Sequence, residues 1–419
     1  MHWDLSQFTG KDVVFVGRGR GRALDGLQRF LEKHGDLKSF AAVDKSDDTE
    51  PLAFLLQYDR ERTVFIKNDP IPVEEMPVPY ITPLQLFFSL VTALGATTVG
   101  ITGTKGKSTT TALTAHVLQQ AGKDVILAGN IGVSPFIGLE TATAQSIFVL
   151  ELSSYQLVDM NVSPHISACV NLYNDHTLWH GSIENYWEAK HNIMRFATAQ
   201  DLFVYNPSFP TLQQWVDEAS CRTKAITVDE PLDLSGSQLF GDHNRLNALI
   251  AREICRELGV SDQQFMTGLN SFKPLTHRMQ FIATKNEVAY IDDAIGMTPE
   301  STLASLTAVT EKFGPVGCLL LGGQDRDYDF TLLMQRLADQ AIPALVLFPN
   351  TVQKMRAALP DRYTPEILET SSMSEAVSWA ATKAPAGSVV LLSTAAPSYS
   401  LWSGFEEKGD QFQAAVASL

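Results

Sequence analysis

The stretch from Thr102 to Ser108 constrains the fold most, because it places a glycine-rich loop between an apolar run and a helix-forming segment. The amides of such a loop and the N-terminus of the following helix point at an anion, while a lysine supplies positive charge. The loop reads T-G-T-x-G-K-S, and Ile101 stands where the usual P-loop has its first glycine. The stretch therefore predicts a phosphate-binding loop in an α/β protein; the alternative is a glycine turn with a solvated lysine.

Composition excludes several kinds of partner. A formal net charge of −15 argues against nucleic acid or an anionic membrane as the main partner, whereas a nucleotide can still bind a locally positive pocket. No run of about 18 apolar residues and no signal-like N-terminus occur, so we expect a cytoplasmic protein, and a monomer. No CxxC pair is present, which predicts buried structural thiols at the four cysteines: Cys169, Cys221, Cys255 and Cys318.

Apolar strands alternate with helices along the whole chain, which predicts mostly parallel sheets. We expect an N-terminal Rossmann-like domain (residues 1–92), a central P-loop ATPase-type domain (93–277) and a C-terminal Rossmann-like domain (278–419). In the first domain, Gly17 and Gly19 follow a strand and Asp44 ends the next one, which favours a nucleotide-sugar or nucleoside. A nicotinamide dinucleotide is less favoured because Arg22 replaces the third glycine, and a turn used only for packing stays open.

Polar residues follow the predicted strands of the central domain. Asn130, Glu151 and His176 each come just after a strand, and the carboxyl ends of parallel strands share one edge of a sheet, so these residues should converge on the loop. Glu151 together with Ser108 offers the hard oxygen ligands that Mg²⁺ prefers. His176 is a further candidate ligand, whereas Lys190 alone is typical of a solvated helix lysine.

Several motifs in order resemble the Mur ligases, which are ATP-dependent amide-forming ligases of peptidoglycan precursor synthesis. The motifs are T-G-T-x-G-K-S, G-N-I-G (129–132), E-L-S-S-Y-Q-L (151–157), N-x-x-x-D-H (171–176), A-K (189–190), H-N-x-x-N (243–247) and H-R (277–278). The tail at 391–412 resembles family members that add D-glutamate to UDP-N-acetylmuramoyl-L-alanine. Uridine nucleotide and glutamate are therefore the expected substrates.

The resemblance implies roles residue by residue, with ATP and two Mg²⁺ ions as cofactors. The implied catalytic residues are Lys107, Glu151, His176 and Lys190. The implied metal contacts are Ser108, Glu151, His176 and a carbamylated Lys190. The implied nucleotide contacts are Gly103, Thr104, Lys105, Gly106, Lys107, Ser108, Thr109, Asn244, Asn247, Arg278 and Asp293. The implied substrate contacts are Gly17, Gly19, Asp44, Asn130, Arg326, Ser398 and Phe405.

The chain departs from the family pattern near the amino-acid pocket. After Asp293 it reads A-I-G-M-T-P, with Ile295 and Met297, where the family usually has S-K-A-T-N. Arg326 stands where lysine is usual, which keeps a cation but changes its geometry. The segment Lys67-Asn68-Asp69 replaces S-P-G. The loop resembles a branch thought to add L-glutamate, which is the first alternative; a folylpolyglutamate synthase-like ligase and a non-catalytic nucleotide-binding paralogue are the others.

Overall fold

The computed structural model describes residues 4–17, 22–44, 52–68 and 70–419. Contacts divide the chain into two compact units, which are Met1–Leu232 with Leu246–Phe272, and Asp233–Arg245 with Lys273–Leu419. The N-terminal sheet and the central sheet both belong to the first unit, and the division expected at residue 92 falls inside a helix there. The three-domain division with its boundaries stays a prediction.

The N-terminal part of the first unit has a parallel sheet in the order β2-β1-β3. Its strands are β1 (Asp12–Gly17), β2 (Ser39–Asp44) and β3 (Thr63–Lys67), and its helices are α1 (Arg22–His34) and α2 (Pro83–Leu94). Strand β3 was not predicted, because prolines and acids dominate the residues around it. Short 3₁₀ helices occur at Leu5–Phe8, Leu52–Gln57 and Val73–Glu75.

The central part contains a six-stranded parallel sheet in the order β5-β6-β4-β7-β8-β9. The strands are β4 (Thr97–Thr102), β5 (Val125–Gly129), β6 (Ile147–Glu151), β7 (Ile166–Cys169), β8 (Leu202–Tyr205) and β9 (Arg222–Ala225). The helices are α3 (Lys107–Gln120), α4 (Pro135–Leu139), α5 (Ser154–Leu157), α6 (Thr177–His180), α7 (Ile183–Arg195), α8 (Pro210–Asp217), α9 (Asp242–Glu257) and α10 (Asp262–Ser271). Because β4 lies between β6 and β7, the loops after these three strands are neighbours.

Packing joins the two sheets of the first unit. One hydrophobic cluster includes residues from both, and the rings of Phe30 and Phe136 lie 5.5 Å apart, those of Phe87 and Phe148 5.1 Å apart. Edge-to-face and offset aromatic pairs of this kind add to the free energy gained from burial. The phosphate loop is therefore supported by a continuous core.

Helix α3 begins at Lys107, earlier than the helix-forming segment that the sequence indicated. It is buried along most of its length, and threonine hydroxyls inside it bond back to carbonyls one turn earlier, as Thr110 does to Gly106 and Thr114 does to Thr110. Such bonds satisfy a buried hydroxyl without an outside partner. This allows a threonine-rich segment to form a central helix.

The second unit contains a sheet in the order β10-β11-β15-β12-β13-β14, in which only the β10–β11 pairing is antiparallel. Its strands are β10 (Gln280–Lys285), β11 (Val288–Asp292), β12 (Val316–Gly322), β13 (Ala344–Phe348), β14 (Glu366–Glu369) and β15 (Val389–Leu392). Its helices are α11 (Pro299–Phe313), α12 (Thr331–Asp339), α13 (Val352–Ala357), α14 (Met373–Lys383) and α15 (Phe405–Ala417). Hydrophobic clusters cover both faces, as a parallel sheet requires.

The expected α/β class with mostly parallel sheets is confirmed. In the described ranges, no helix is both long enough and apolar enough to cross a membrane. Cys169, Cys255 and Cys318 are buried free thiols and Cys221 is partly buried, which agrees with the interpretation of the four cysteines.

Candidate active site

The phosphate loop requires glycine at two positions. Gly103 has φ +147° and Gly106 has φ +81°, a region that side chains other than glycine rarely adopt. A Cβ on Gly106 would lie 2.4 Å from Oδ1 of Asn247, so helix α9 packs directly on the loop. The Lys107 ammonium donates to the carbonyls of Gly103 and Thr104 at 3.0 Å each, which holds this positive charge over the loop.

Asn171, which the sequence did not single out as a site residue, fixes the shape of this loop. Its Oδ1 accepts from the amides of Thr104 and Lys105 at 3.1 and 2.8 Å, and its Nδ2 donates to the Lys105 carbonyl at 3.0 Å. In this structure those two amides therefore serve the loop itself. The available signal was its position at the head of N-x-x-x-D-H, directly after strand β7.

Lys190 points into the loop rather than into solvent. Its side chain is 1% exposed, its ammonium donates to the Gly103 carbonyl at 2.8 Å, and it lies 4.8 Å from the centre of the Tyr186 ring. Burial, reinforced by the charge of Lys107, holds the pKa of Lys190 well below its usual range. A buried lysine of this kind has a neutral amine that can act as a nucleophile.

Glu151 ends strand β6 beside the loop. It is 5% exposed, and among the described residues its Oε2 has no hydrogen-bond partner. A buried carboxylate oxygen without a donor is costly unless a cation or water satisfies it. Ser108 is buried at the first turn of α3. The donor set of a hydroxyl and an unsatisfied carboxylate oxygen fits Mg²⁺.

His176 follows strand β7 with a left-handed backbone, φ +53°. Its Nδ1 lies 2.9 Å from the Tyr155 hydroxyl, and its amide donates to Asp175 Oδ1 at 3.0 Å. Burial lowers the pKa of His176 below its ordinary value, while the carboxylate of Asp175 opposes that shift. The imidazole is therefore neutral at neutral pH and can offer a lone pair.

The structure brings the four expected catalytic side chains together. The charges of Lys107 and Glu151 both act on the pKa of Lys190, and the charges of Lys107 and Lys190 both act on the pKa of His176. Within the described ranges, no group of three or more His, Cys, Asp or Glu side chains could hold a metal. A metal at this site would thus depend on oxygen ligands from Ser108 and from a modified lysine.

The other expected nucleotide contacts lie on α9 and in the second unit. Asn247 contacts the phosphate loop as described, and Asn244 is buried with its amide donating to the Phe240 carbonyl at 3.1 Å. Arg278 is partly buried. Thr109 is buried in the first turn of α3.

The carboxylate of Asp293 is already engaged inside the protein. It is buried and accepts from the hydroxyls of Ser305 and Ser393 at 2.6 and 2.9 Å. Burial raises the pKa of Asp293 to about 6, against the effect of those two hydrogen bonds. A sugar hydroxyl at this carboxylate would join an existing network.

The expected substrate contacts fall in separate places. Gly17 is the last residue of β1, whereas Gly19 lies outside the described residues and only the backbone of Asp44 is described. Asn130 is exposed after β5, and its amide donates to the Glu151 carbonyl at 3.1 Å. In the second unit, Arg326 is exposed, the buried Ser398 hydroxyl lacks a hydrogen-bond partner among the described residues, and Phe405 begins α15.

Lys408 is a buried residue that sequence reasoning did not identify. Its side chain is fully buried and its ammonium donates to the Thr394 hydroxyl at 2.5 Å. Burial lowers the pKa of Lys408 to about 7, against the opposing charges of Asp293 and Asp292. No local pattern distinguishes this lysine from its exposed neighbours on α15.

The fold and the loop together define a nucleotide-dependent α/β enzyme. Residues 101–238 match the model of the Mur ligase middle domain, and residues 277–396 match that of the Mur ligase glutamate ligase domain. The chain belongs to the Mur ligase family, and it is a ligase that uses ATP.

Two relatives resemble it over nearly the whole length. UDP-N-acetylmuramoylalanine–D-glutamate ligase of Streptococcus sanguinis is 31% identical over 99% of each chain. The enzyme of the same name from Natranaerobius thermophilus is 27% identical over 99% of this chain and 94% of its own.

Solved structures show the same fold at lower identity. MurF ligase from Thermotoga maritima, in complex with ADP, is 17% identical with a TM-score of 0.65, covering 99% of this chain and 97% of that one. UDP-N-acetylmuramate–alanine ligase MurC from the same organism is 18% identical with a TM-score of 0.63, covering 97% and 99%. These neighbours bear out the fold expected from the sequence.

Proposed function

We propose that this protein adds D-glutamate to UDP-N-acetylmuramoyl-L-alanine, with ATP as the energy source, in peptidoglycan precursor synthesis. The observation that carries the proposal is the phosphate loop with Lys190 and the unsatisfied Glu151 oxygen beside it, in a chain similar over its full length to D-glutamate ligases. We further propose that the protein is a cytoplasmic monomer whose three domains bind the uridine nucleotide (1–92), ATP (93–277) and glutamate with ADP (278–419).

The proposed reaction has two steps. A carboxylate oxygen of the alanine attacks the γ-phosphorus of ATP, the bond to the β–γ bridging oxygen breaks, and ADP leaves. The amine of glutamate then attacks the acyl phosphate, loses a proton, and the tetrahedral intermediate expels phosphate. Catalysis of the first step is alignment and charge neutralisation, which Lys107 and the loop provide.

We assign Ser108 and Glu151 to one Mg²⁺, and His176 with a carbamylated Lys190 to a second. Mg²⁺, when bound, offsets the negative charge of the phosphates. The lowered pKa of Lys190 supports the modification, since a neutral amine attacks CO₂, releases a proton and becomes an anionic oxygen ligand. Turnover that rises with added bicarbonate, together with a native mass larger by one CO₂ that Lys190→Ala lacks, checks this assignment; a bicarbonate-independent rate contradicts it.

A second candidate function uses L-glutamate as the acceptor. It is favoured by the loop with Ile295 and Met297, where the family lysine is missing. Between them, Gly296 is tightly enclosed: a Cβ there would lie 2.3 Å from Ser393 Oγ and 2.5 Å from Asp293 Oδ2. The side chains of Ile295 and Met297, rather than position 296, are therefore free to vary the pocket.

Phosphate release from ATP tests both candidates, first with UDP-N-acetylmuramoyl-L-alanine plus D-glutamate and then with L-glutamate. We expect the D-isomer to be used, and Lys107→Ala to lower kcat by about 10²–10³-fold. Lys123→Ala, an exposed lysine after the same helix, is the matched control. Faster release with L-glutamate selects the second candidate, and release only with a folate acceptor selects a folylpolyglutamate synthase-like ligase. ATP binding without turnover on any acceptor rejects the ligase proposal in favour of a nucleotide-binding paralogue.

A further inference from the structure

The Tyr155 hydroxyl contacts the expected metal ligand His176. Its oxygen lies 2.9 Å from Nδ1 of the imidazole, and the two ring centres are 5.1 Å apart. On the opposite side of the ring, Nε2 lies 3.9 Å from Asp175 Oδ2, which is beyond hydrogen-bond distance. One ring nitrogen is therefore engaged by the protein, and the other faces the side where a ligand can approach.

The position of the Tyr155 ring is fixed by its neighbours. It stacks on His180 with centres 5.6 Å apart and planes at 20°, and it packs edge-on against Trp179 at 4.8 Å. His180 Nε2 is 3.0 Å from Ser154 Oγ, and the Trp179 indole donates to the Pro70 carbonyl at 2.8 Å. The hydroxyl is thus presented to His176 by a rigid aromatic cluster, not by a mobile side chain.

We propose that Tyr155 is a positioning residue for metal binding: it accepts the Nδ1 hydrogen of His176 and leaves the Nε2 lone pair available to a divalent cation. The tautomer of a ligating imidazole is set by the hydrogen bond that its other nitrogen makes. His176 is 45% exposed, so packing alone restrains its ring less than a buried histidine's. This inference rests on the proposed function only in taking His176 as a metal ligand.

Tyr155→Phe tests the proposal, because it removes the hydroxyl and keeps the ring contacts with His180 and Trp179. Mn²⁺ binding to the protein with a non-hydrolysable ATP analogue, followed by electron paramagnetic resonance, should weaken by about 10–100-fold. In the metal-free protein, the ¹⁵N resonances of the His176 ring should shift toward the tautomer with the hydrogen on Nε2. Tyr205→Phe is the matched control, since its hydroxyl bonds to Gln213 at 3.3 Å on strand β8.

A third variant separates positioning from a general structural effect. If Tyr155 acts through His176, then Tyr155→Phe should weaken Mn²⁺ binding no further in a His176→Ala background. Unchanged Mn²⁺ affinity or unchanged His176 resonances in Tyr155→Phe overturns the proposal, and so does an additive loss in the double variant. Those results leave the ligase function standing when the unmodified protein still releases phosphate with D-glutamate. The converse result, Tyr155-dependent Mn²⁺ binding without phosphate release on any acceptor, supports this inference and rejects the function.

Discussion

At the scale of single residues, His277 shows how two opposed effects on one imidazole are decided by geometry. Its Nδ1 lies 2.7 Å from the carboxylate of Asp292, which is fully buried, and Gln413 donates to the same carboxylate at 2.8 Å. The hydrogen bond to Asp292 raises the pKa of His277, and burial opposes the shift without cancelling it. The charged form of His277 is therefore favoured in the folded protein.

This raised pKa predicts a pH-dependent free energy of unfolding. His277 contributes its full stability below its ordinary pKa of about 6.5, and the contribution is lost as pH rises through the higher folded value. We expect His277→Gln to be less stable than the unmodified protein by about 1–3 kcal/mol near pH 6, and the difference to shrink toward pH 8. Urea denaturation across this range measures it.

The comparison of the two proteins isolates His277 from other titrating groups nearby. Asp293 and Lys408 also have shifted pKa values, and Asp410 and Glu406 face His277 from helix α15. These groups are present in both proteins, so they contribute to each curve but little to their difference. A difference that stays constant from pH 6 to 8 contradicts the prediction.

At the scale of elements, the junction of β4, loop and α3 depends on Gly106. This residue precedes the first helical residue with φ +81°, and the side chain of Asn247 fills the space that a Cβ would need. Gly122, just after the same helix, has φ +79° but nothing within 4 Å of its would-be Cβ. The two glycines therefore share the backbone requirement and differ in their surroundings.

Alanine at each position separates strain from function. We expect Gly122→Ala to lower the free energy of unfolding by about 1–2 kcal/mol, because only the left-handed backbone is penalised. Gly106→Ala should cost more than that and also abolish binding of an ATP analogue, because the loop must shift away from Asn247. Urea denaturation and titration calorimetry measure the two effects. Binding by Gly106→Ala at the affinity of the unmodified protein contradicts this account.

At the scale of the whole molecule, an acidic chain carries a locally positive site. The net charge is −15, yet Lys105, Lys107 and Lys190 all lie at the phosphate loop. A ligand that binds only the folded protein stabilises it, by about 2.7 kcal/mol at a hundredfold excess over Kd. ATP binding should therefore be visible as stability of the entire chain.

We expect a non-hydrolysable ATP analogue with Mg²⁺ to raise the melting temperature of the unmodified protein and of Lys123→Ala. Lys107→Ala should lose most of that increase, because the positive charge over the loop is gone. Differential scanning fluorimetry across analogue concentrations measures the shift. An equal increase in Lys107→Ala shows that nucleotide stabilises the protein without this lysine.

Much of the molecule could be predicted where the signal is local. The bounds of β13, β15 and α14 match the structure residue for residue, because buried parallel strands are continuous apolar runs and the helix is cleanly periodic. Strands β9 and β14 were missed because they lie at sheet edges with mostly exposed or half-buried residues. Their strand geometry comes from pairing with a neighbour and not from their own composition.

The sequence by itself determined the order strand–loop–helix around Gly106, the α/β class and the family, because these depend on glycine freedom, periodicity and linear motifs. Only the tertiary structure decided that Lys190 is buried against the loop, that Asn171 holds the loop's shape, and that the Tyr155 hydroxyl faces His176. Each of these depends on strands β4, β6 and β7 lying side by side, which brings residues distant in the chain within bonding distance. Burial and charge then change what those side chains can do, and neither is encoded in the residue alone.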